Sequence, residues 1–312
     1  MRRFLILSSF VAGLATALLY RHDMRRTRAR LAETGRVVKT SFGAVDFAEL
    51  GDGDPVLVLH GTGGGFDQAL DMTAALADEG FRLIAPSRFG YLRTSVPHDT
   101  SAAAQADMSA ELLDQLGIER CAVLGISAGA WPALHFASRH PSRCSAVVLL
   151  VPATDLPCQT RLLGRVLSGV FACDFLAWAM VRLGCVFAGL GGPMVGTPAR
   201  VVRRASRKEK RRVRSILFDA LPGSARLAGM RIDLAQMSPD SSCALDTIAC
   251  PVLAISAADD AFQTAGRARD VAAAVPDGIT VIYSSGGHAL VGRYGEAVRE
   301  TAVFLRTPKT HS

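Results

Sequence analysis

Gly125-Ile126-Ser127-Ala128-Gly129 is the stretch of this chain best placed to do chemistry. The apolar run Cys121-Ala122-Val123-Leu124 before it reads as a short buried strand, and Ala130 to Ala137 after it reads as a helix. A serine at a sharp strand-to-helix turn stands clear of the sheet, and the first N–H groups of the helix face the space above it. At neutral pH its hydroxyl is a poor nucleophile unless a base takes the proton and a third group orients the base. The chain has seven histidines. His22 and His311 are remote from the patterned region, and His98 lies in a polar loop. His135 and His140 lie on or just past the helix that follows Ser127, facing away from it. His60 ends the run Val56-Leu57-Val58-Leu59, and His288 follows Gly286-Gly287 after the last apolar strand pattern. In a parallel sheet the strand C-termini gather at one edge. Ser127, His60 and His288 are therefore expected on the same rim.

The elements that must carry these residues alternate. Arg36 to Thr40 and Ala44 to Leu50 read as a hairpin, broken at Ser41-Phe42-Gly43. Val56 to Leu59, Phe81 to Ala85, Ala146 to Val151, Pro251 to Ser256 and Ile279 to Tyr283 read as strands. Several are continuous apolar runs, as befits strands buried on both faces. Helical spacing covers about Asp67–Glu79, Ser101–Leu116, Thr264–Ala274 and Ala289–Leu305, with Thr100 or Ser101 as an N-cap and Gly117 as a stop. Strands alternating with helices of ten or more residues predict an α/β fold: a mostly parallel sheet covered on both faces. The alternation stops between about Asp155 and Asp246, so a helical cap inserted over the sheet is expected there.

These features together resemble the α/β-hydrolase superfamily, in its serine-nucleophile, esterase- or lipase-like branch. The resemblance covers about Val37 to Leu305 and implies an α/β-hydrolase fold. Gly125 to Gly129 is similar to the family's nucleophile elbow. His60-Gly61-Thr62-Gly63-Gly64-Gly65 looks like its oxyanion loop. That likeness implies a pair of N–H donors at Thr62 and Ala128, with Gly63 as the alternative to Thr62, and a His60 that holds the loop. His288 is the base candidate. The family's pattern puts the orienting acid four positions into the loop after the Val252 strand, which selects Asp260. Ala257 and Ala261 stand where glycine and proline are usual, so Asp259 stays open, as does Asp155 after the Val151 strand. The order Ser127, Asp260, His288 is the family's order. A serine at the elbow disfavours the aspartate-nucleophile branches. Pro86 to Tyr91 resembles the loop after the family's fourth strand and is given no catalytic role. The implied chemistry is serine hydrolysis of an ester or related acyl bond in a hydrophobic small molecule, needing no metal or cofactor. Carbon–carbon bond hydrolysis of a diketone by the same triad is the close variant. A non-catalytic binding protein that keeps the pocket is the reading from another class.

Composition bounds the rest. The 312 residues are half apolar, enough for a sizeable core, and the net charge is +7. The basic residues cluster in two places without a nucleic-acid module or interleaved aromatics, which excludes nucleic acid as a partner. Seven cysteines, 121, 144, 158, 173, 185, 243 and 250, form no C-x-x-C pair and read as small core residues. Phe4 to Tyr20 carries no charge. As a helix it spans about 25 Å of a roughly 30 Å hydrocarbon core. Ala15-Thr16-Ala17 offers a signal-peptide cleavage site. The arginines at 21, 25, 26, 28 and 30 instead favour an uncleaved single-helix anchor with the C-terminal domain in the cytoplasm. Leu162 to Leu190 is apolar but interrupted by Arg165, Asp174 and Arg182, so no second span is expected. Arg200 to Arg214 holds nine basic residues and one acidic residue. It reads as a solvated helix face or a patch for anionic lipid. The expected organisation is a membrane anchor and basic flank at 1–30, one α/β-hydrolase core in two parts at 36–154 and 247–306, and a helical cap at 155–246.

Overall fold

A computed structural model describes residues 2–154, 168–236 and 243–307. Eight strands form one sheet in the order β1-β2-β4-β3-β5-β6-β7-β8. The hairpin of β1 (Arg36–Thr40) and β2 (Gly43–Leu50) is antiparallel, and β2 also runs antiparallel to β4 (Phe81–Pro86). The sheet is parallel from β4 through β3 (Asp54–Leu59), β5 (Cys121–Ile126), β6 (Cys144–Leu150), β7 (Val252–Ala257) and β8 (Gly278–Tyr283). Side chains alternate across each strand, and here both sets are apolar. Leu57, Val123 and Leu149 pack with α4 (Ala102–Gln115), α5 (Ala130–Arg139) and α11 (Thr264–Ala274) on one face. Val58, Leu124 and Val148 pack with α2 (Phe66–Thr73), α3 (Ala75–Asp78) and α12 (Tyr294–Arg306) on the other. Each such side chain contributes about 1.5–3 kcal/mol when fully buried.

Local signals set most element ends. Ser101 caps α4 by accepting the Ala104 N–H at 3.1 Å. The last helix starts at Tyr294, five residues later than its apolar spacing suggests. Leu290 and Gly292 stand at φ 49° and 78°, and left-handed residues cannot continue a right-handed helix. The helix expected over Asp67–Glu79 divides at Ala74 into α2 and α3.

Among the described residues, the segment between β6 and β7 includes the α-helices α6 (Asp174–Val186), α7 (Ala188–Met194), α8 (Ala199–Arg204), α9 (Arg207–Phe218) and α10 (Leu227–Gln236). They share a separate apolar cluster that includes Trp178, Val181, Val213, Leu217 and Met230. The arginine-rich stretch at 200–214 falls on α8 and α9. Arg212 is drawn inward there, paired with Glu209 at 2.9 Å and stacked over the Tyr294 ring. Cys121, Cys144, Cys185 and Cys250 are buried as expected, whereas Cys173 is exposed. Cys158 lies outside the described residues.

The membrane anchor read from Phe4–Tyr20 is corrected. Among the described residues no helix is long and apolar enough to cross a membrane. The apolar run does not stop at a membrane boundary but continues as one helix, α1 (Arg2–Thr34), through the arginine-rich flank. That flank is spent on protein. Trp178 Nε1 and Arg182 Nε both donate to Asp23 at 2.7 Å. Arg28 pairs with Asp174, and Arg30 pairs with both Asp67 and Asp219 at 3.0 Å. Met24 is buried in the cluster of the inserted helices. Arg28 and Arg30 thus have acidic partners within the fold, and the cytoplasmic placement inferred from the arginine bias falls with the anchor.

This docking has a measurable consequence. Asp23→Ala leaves the buried Trp178 N–H unpaired, at a cost of about 1–3 kcal/mol. Hydrogen exchange of the backbone amides between Tyr20 and Thr34 is expected to speed up accordingly. Unchanged exchange would show that Asp23 does not hold the helix.

Candidate active site

Ser127 sits just past the end of β5, at φ 52°. That left-handed backbone is uncommon for a residue with a Cβ and costs of order 1–3 kcal/mol. It turns the chain at once from strand into a short 3₁₀ turn, Ser127–Gly129, that runs on into α5. Leu59 on β3 pairs with Gly125 on β5, so the loop after β3 abuts this turn. A Cβ added to Gly61 would lie 3.1 Å from the Ser127 Cβ.

The end of β8 delivers the imidazole. His288 Nε2 is 3.0 Å from Ser127 Oγ, and His288 Nδ1 is 2.8 Å from Asp260 Oδ2. Asp260 follows β7 and accepts two more hydrogen bonds, from the Phe262 N–H at 2.8 Å and from the Thr264 hydroxyl. Burial alone would push this carboxyl up. The charge and hydrogen bond of His288, with the Thr264 and Phe262 donors, outweigh it and hold the carboxyl below its usual range. The Phe262 ring stands edge-on to the imidazole, with centroids 4.8 Å apart. Asp259 is turned elsewhere. It accepts the Gly286 and Gly287 N–H groups at 2.9 and 2.8 Å, fixing the loop that carries His288. Asp155 lies outside the described residues.

His60 is fully buried beneath the glycine loop. Its Nδ1 donates to the Gly61 carbonyl at 2.8 Å, and its Nε2 accepts the Arg88 N–H at 2.9 Å. Burial, then the Arg88 and Arg226 charges, push its pKa well down, so the ring stays neutral. It holds the loop and stands apart from the Ser127 relay. Of the two N–H candidates in the loop, that of Gly63 already donates to Tyr91 Oη at 3.1 Å. Ala128 is buried in the first turn after the strand.

Spacing in the sequence does not disclose the layer behind this loop. Arg88 and Asp233 form a bidentate pair, both bonds 2.6 Å, with side chains only 2% exposed. The Tyr91 phenol donates to Asp233 at 2.6 Å, and the Thr62 hydroxyl donates to it at 2.9 Å. Arg226 donates to the Gly64 carbonyl and makes a second buried pair with Asp67. Asp233 and Arg226 both come from the inserted segment. A third contact from that segment reaches the other side of the site: the Gly196 carbonyl accepts both the Ala261 and the His288 N–H groups. The conspicuous signal was Pro86–Tyr91, whose arginine and tyrosine bond to His60, Gly63 and Asp233 behind the loop.

Above Ser127 and His288 opens a cavity of about 280 Å³. Its wall is largely apolar, with Met72, Phe171, Met180, Leu217, Met230 and Phe262 among the residues from both the core and the inserted helices. No lysine, arginine or carboxylate lines it among the described residues. No group of histidine, cysteine and acidic side chains suited to a metal ion occurs among the described residues either.

Comparison with known proteins agrees with this architecture. The model of the alpha/beta hydrolase fold family matches residues 54–291. A Bacillus subtilis (strain 168) protein named "Uncharacterized hydrolase YcgS" is 28% identical over 278 residues, 84% of this chain and 94% of that one. The 2-hydroxy-6-oxo-6-phenylhexa-2,4-dienoate hydrolase of Comamonas testosteroni is 31% identical over 113 residues, 35% of this chain and 40% of that one. Among solved structures, an alpha/beta hydrolase fold protein from Nakamurella multipartita superposes with a TM-score of 0.71 at 28% identity. It covers 88% of this chain and 99% of its own. The chain belongs to the α/β-hydrolase fold family and is a hydrolase of that fold.

The buried Arg88–Asp233 pair yields a prediction independent of activity. Arg88→Met strands the Asp233 charge in the interior. The fold is expected to lose about 3–5 kcal/mol, read from the urea midpoint. A midpoint equal to that of the parent would mean Asp233 finds its compensation elsewhere.

Proposed function

We propose that the protein is a serine hydrolase that cleaves an ester or related acyl bond in a neutral, largely apolar small molecule. The observation that carries this reading is the continuous relay from Ser127 through His288 to Asp260 at the floor of an apolar cavity. His288 takes the Ser127 proton as Oγ bonds to the substrate's carbonyl carbon. The negative charge that develops on the carbonyl oxygen is met by the N–H groups of Thr62 and Ala128. Support for Thr62 over Gly63 is that the Gly63 N–H is already committed to Tyr91. Each such donor is worth on the order of 3 kcal/mol to the transition state. The carbon–oxygen bond then breaks, and His288 gives its proton to the departing alcohol. Water adds to the acyl-enzyme by the same steps, releases the acid and returns the proton to Ser127. Asp260, kept ionised, stabilises the imidazolium formed in each half.

A second reading, carbon–carbon bond hydrolysis, is favoured by the likeness to the dienoate hydrolase. Such a substrate carries a carboxylate. The described cavity wall offers it no cationic side chain, so the ester reading is preferred.

A fluorophosphonate probe tests the nucleophile: it is expected to label folded protein at Ser127, and label elsewhere or none would sink the reading. Ser127→Ala and His288→Ala are each expected to lower turnover of a 4-nitrophenyl ester by several orders of magnitude. Asp260→Asn is expected to cost far more turnover than Asp259→Asn, because only the first faces the imidazole. An equal loss would return the acid's role to the pair.

The pH dependence has a definite sign. The Asp260 pKa is lowered, so that carboxyl stays ionised well into acid. A general base acts only in its neutral form, so activity (kcat/KM) should fall on acidification while Asp260 is still ionised. A profile that stayed flat on acidification would contradict an imidazole base.

A further inference from the structure

We propose that Gln68 is a specificity-determining residue whose amide binds a second neutral oxygen of the substrate, in the acyl part beside the carbonyl that Ser127 attacks. The proposal rests on the serine-hydrolase reading above and names the substrate class for that site.

Gln68 lies in the first turn of α2, directly after the glycine loop. It is only 8% exposed, and it lines the same cavity as Ser127 and His288. Its buried neighbours are all engaged. The Phe66 N–H donates to Ser87 Oγ, Asp67 pairs with Arg226, and the Thr73 hydroxyl donates to the Ala69 carbonyl. The Gln68 amide, by contrast, makes no hydrogen bond to any described residue. Its oxygen lies over the glycine loop: a Cβ added to Gly61 would be 3.6 Å from Gln68 Oε1, and one added to Gly64 would run into it.

A primary amide brings two donors and one acceptor, and buried polar groups almost always find partners. The described residues around this one provide none, so its amide stands free to bind a ligand in the cavity. The amide is uncharged, and no cationic side chain lines the cavity among the described residues. The matching group is therefore neutral, a hydroxyl or keto oxygen. The loop that Gln68 overhangs is the one that receives the carbonyl oxygen, whereas the departing alcohol is served by His288. The second oxygen accordingly belongs to the acyl half. A plain alkanoyl ester would displace cavity water from the amide and give nothing back, and such unmade bonds are what allow a site to discriminate.

The test compares kcat/KM for 4-nitrophenyl 3-hydroxybutanoate and 4-nitrophenyl butanoate in the wild-type enzyme and in Gln68→Met, which keeps the side-chain length. The ratio of the two is expected to favour the hydroxy ester in the wild type and to fall about tenfold or more in Gln68→Met. An unchanged ratio overturns the proposal, whether both rates are retained or both fall together, as they would if the amide only served the oxyanion. Fluorophosphonate labelling is run on the same samples. A wild type that is not labelled at Ser127 overturns the serine-hydrolase reading and this proposal with it. Labelled proteins with an unchanged ratio overturn this proposal alone. Should Gln68→Met fail to fold, Gln68→Leu carries the same comparison, with the same outcomes deciding.

Discussion

The rim of this sheet is shaped by one close approach. Gly129 lies so near the end of β3 that a Cβ there would run into the Leu59 carbonyl oxygen. A glycine is thus needed at 129 for space as well as for the turn. The contact forces two chain reversals, one after β3 and one after β5, to share a single small volume. Ser127 takes its φ of 52° within that volume and faces the glycine loop. The backbone strain is tolerated because the strands beneath are paired on both sides and buried. Were the reversals further apart, the hydroxyl and the loop's N–H groups could not address one substrate carbonyl.

Charge pairs outside the relay fix the loop in that position. Asp233 joins Arg88, Tyr91 and Thr62, while Arg226 joins Asp67 and the Gly64 carbonyl. Both anchors come from the inserted segment, so the roof of the cavity and the floor of the site are parts of one hydrogen-bonded body. Buried ion pairs are poor evidence of net stability, since desolvation consumes most of their attraction. Their value here is geometric: an Asp233 carboxylate met by Arg88, Tyr91 and Thr62 together admits few alternative arrangements. A glycine-rich loop left to itself would sample many conformations, and these contacts select one.

How much of this was legible depended on whether a feature was local. Continuous apolar runs announced β3, β5, β6 and β7, because strands buried on both faces need no polar alternation. His288 was legible from the rule that parallel strands end on one rim. Choosing between Asp259 and Asp260 required a resemblance, since adjacent residues in a loop point apart by an amount that spacing does not encode. The supporting residues were out of reach. Arg88 and Asp233 are 145 positions apart, and Arg226 and Asp67 are 159 apart. Nothing in the inserted segment's composition marks which of its charges turn inward. The same limit produced the membrane error. An apolar stretch followed by arginines has the pattern of an anchor, and only the positions of Asp23, Asp67, Asp174 and Asp219 show that the second half of the helix is held by protein.

The electrostatic arrangement also bears on what the cavity accepts. Arg88 and Arg226 are close enough to hold the glycine loop, and each is matched by a carboxylate on its far side. His60 is neutral, so it adds no charge beneath the loop. What remains facing the chamber is the Ser127–His288 pair, backed by an Asp260 already surrounded by donors. The acyl transfer proposed above would separate charge within this site, with a negative oxygen at the loop and a positive imidazole beside it. Both charges would then arise where prepared partners stand, so little reorganisation would accompany the step. A ligand that entered already charged would meet no cationic or carboxylate side chain along the described wall, and desolvation would oppose it. Under the proposed reaction, the same apolar chamber that would strengthen the developing dipole would also favour substrates that are neutral until they react.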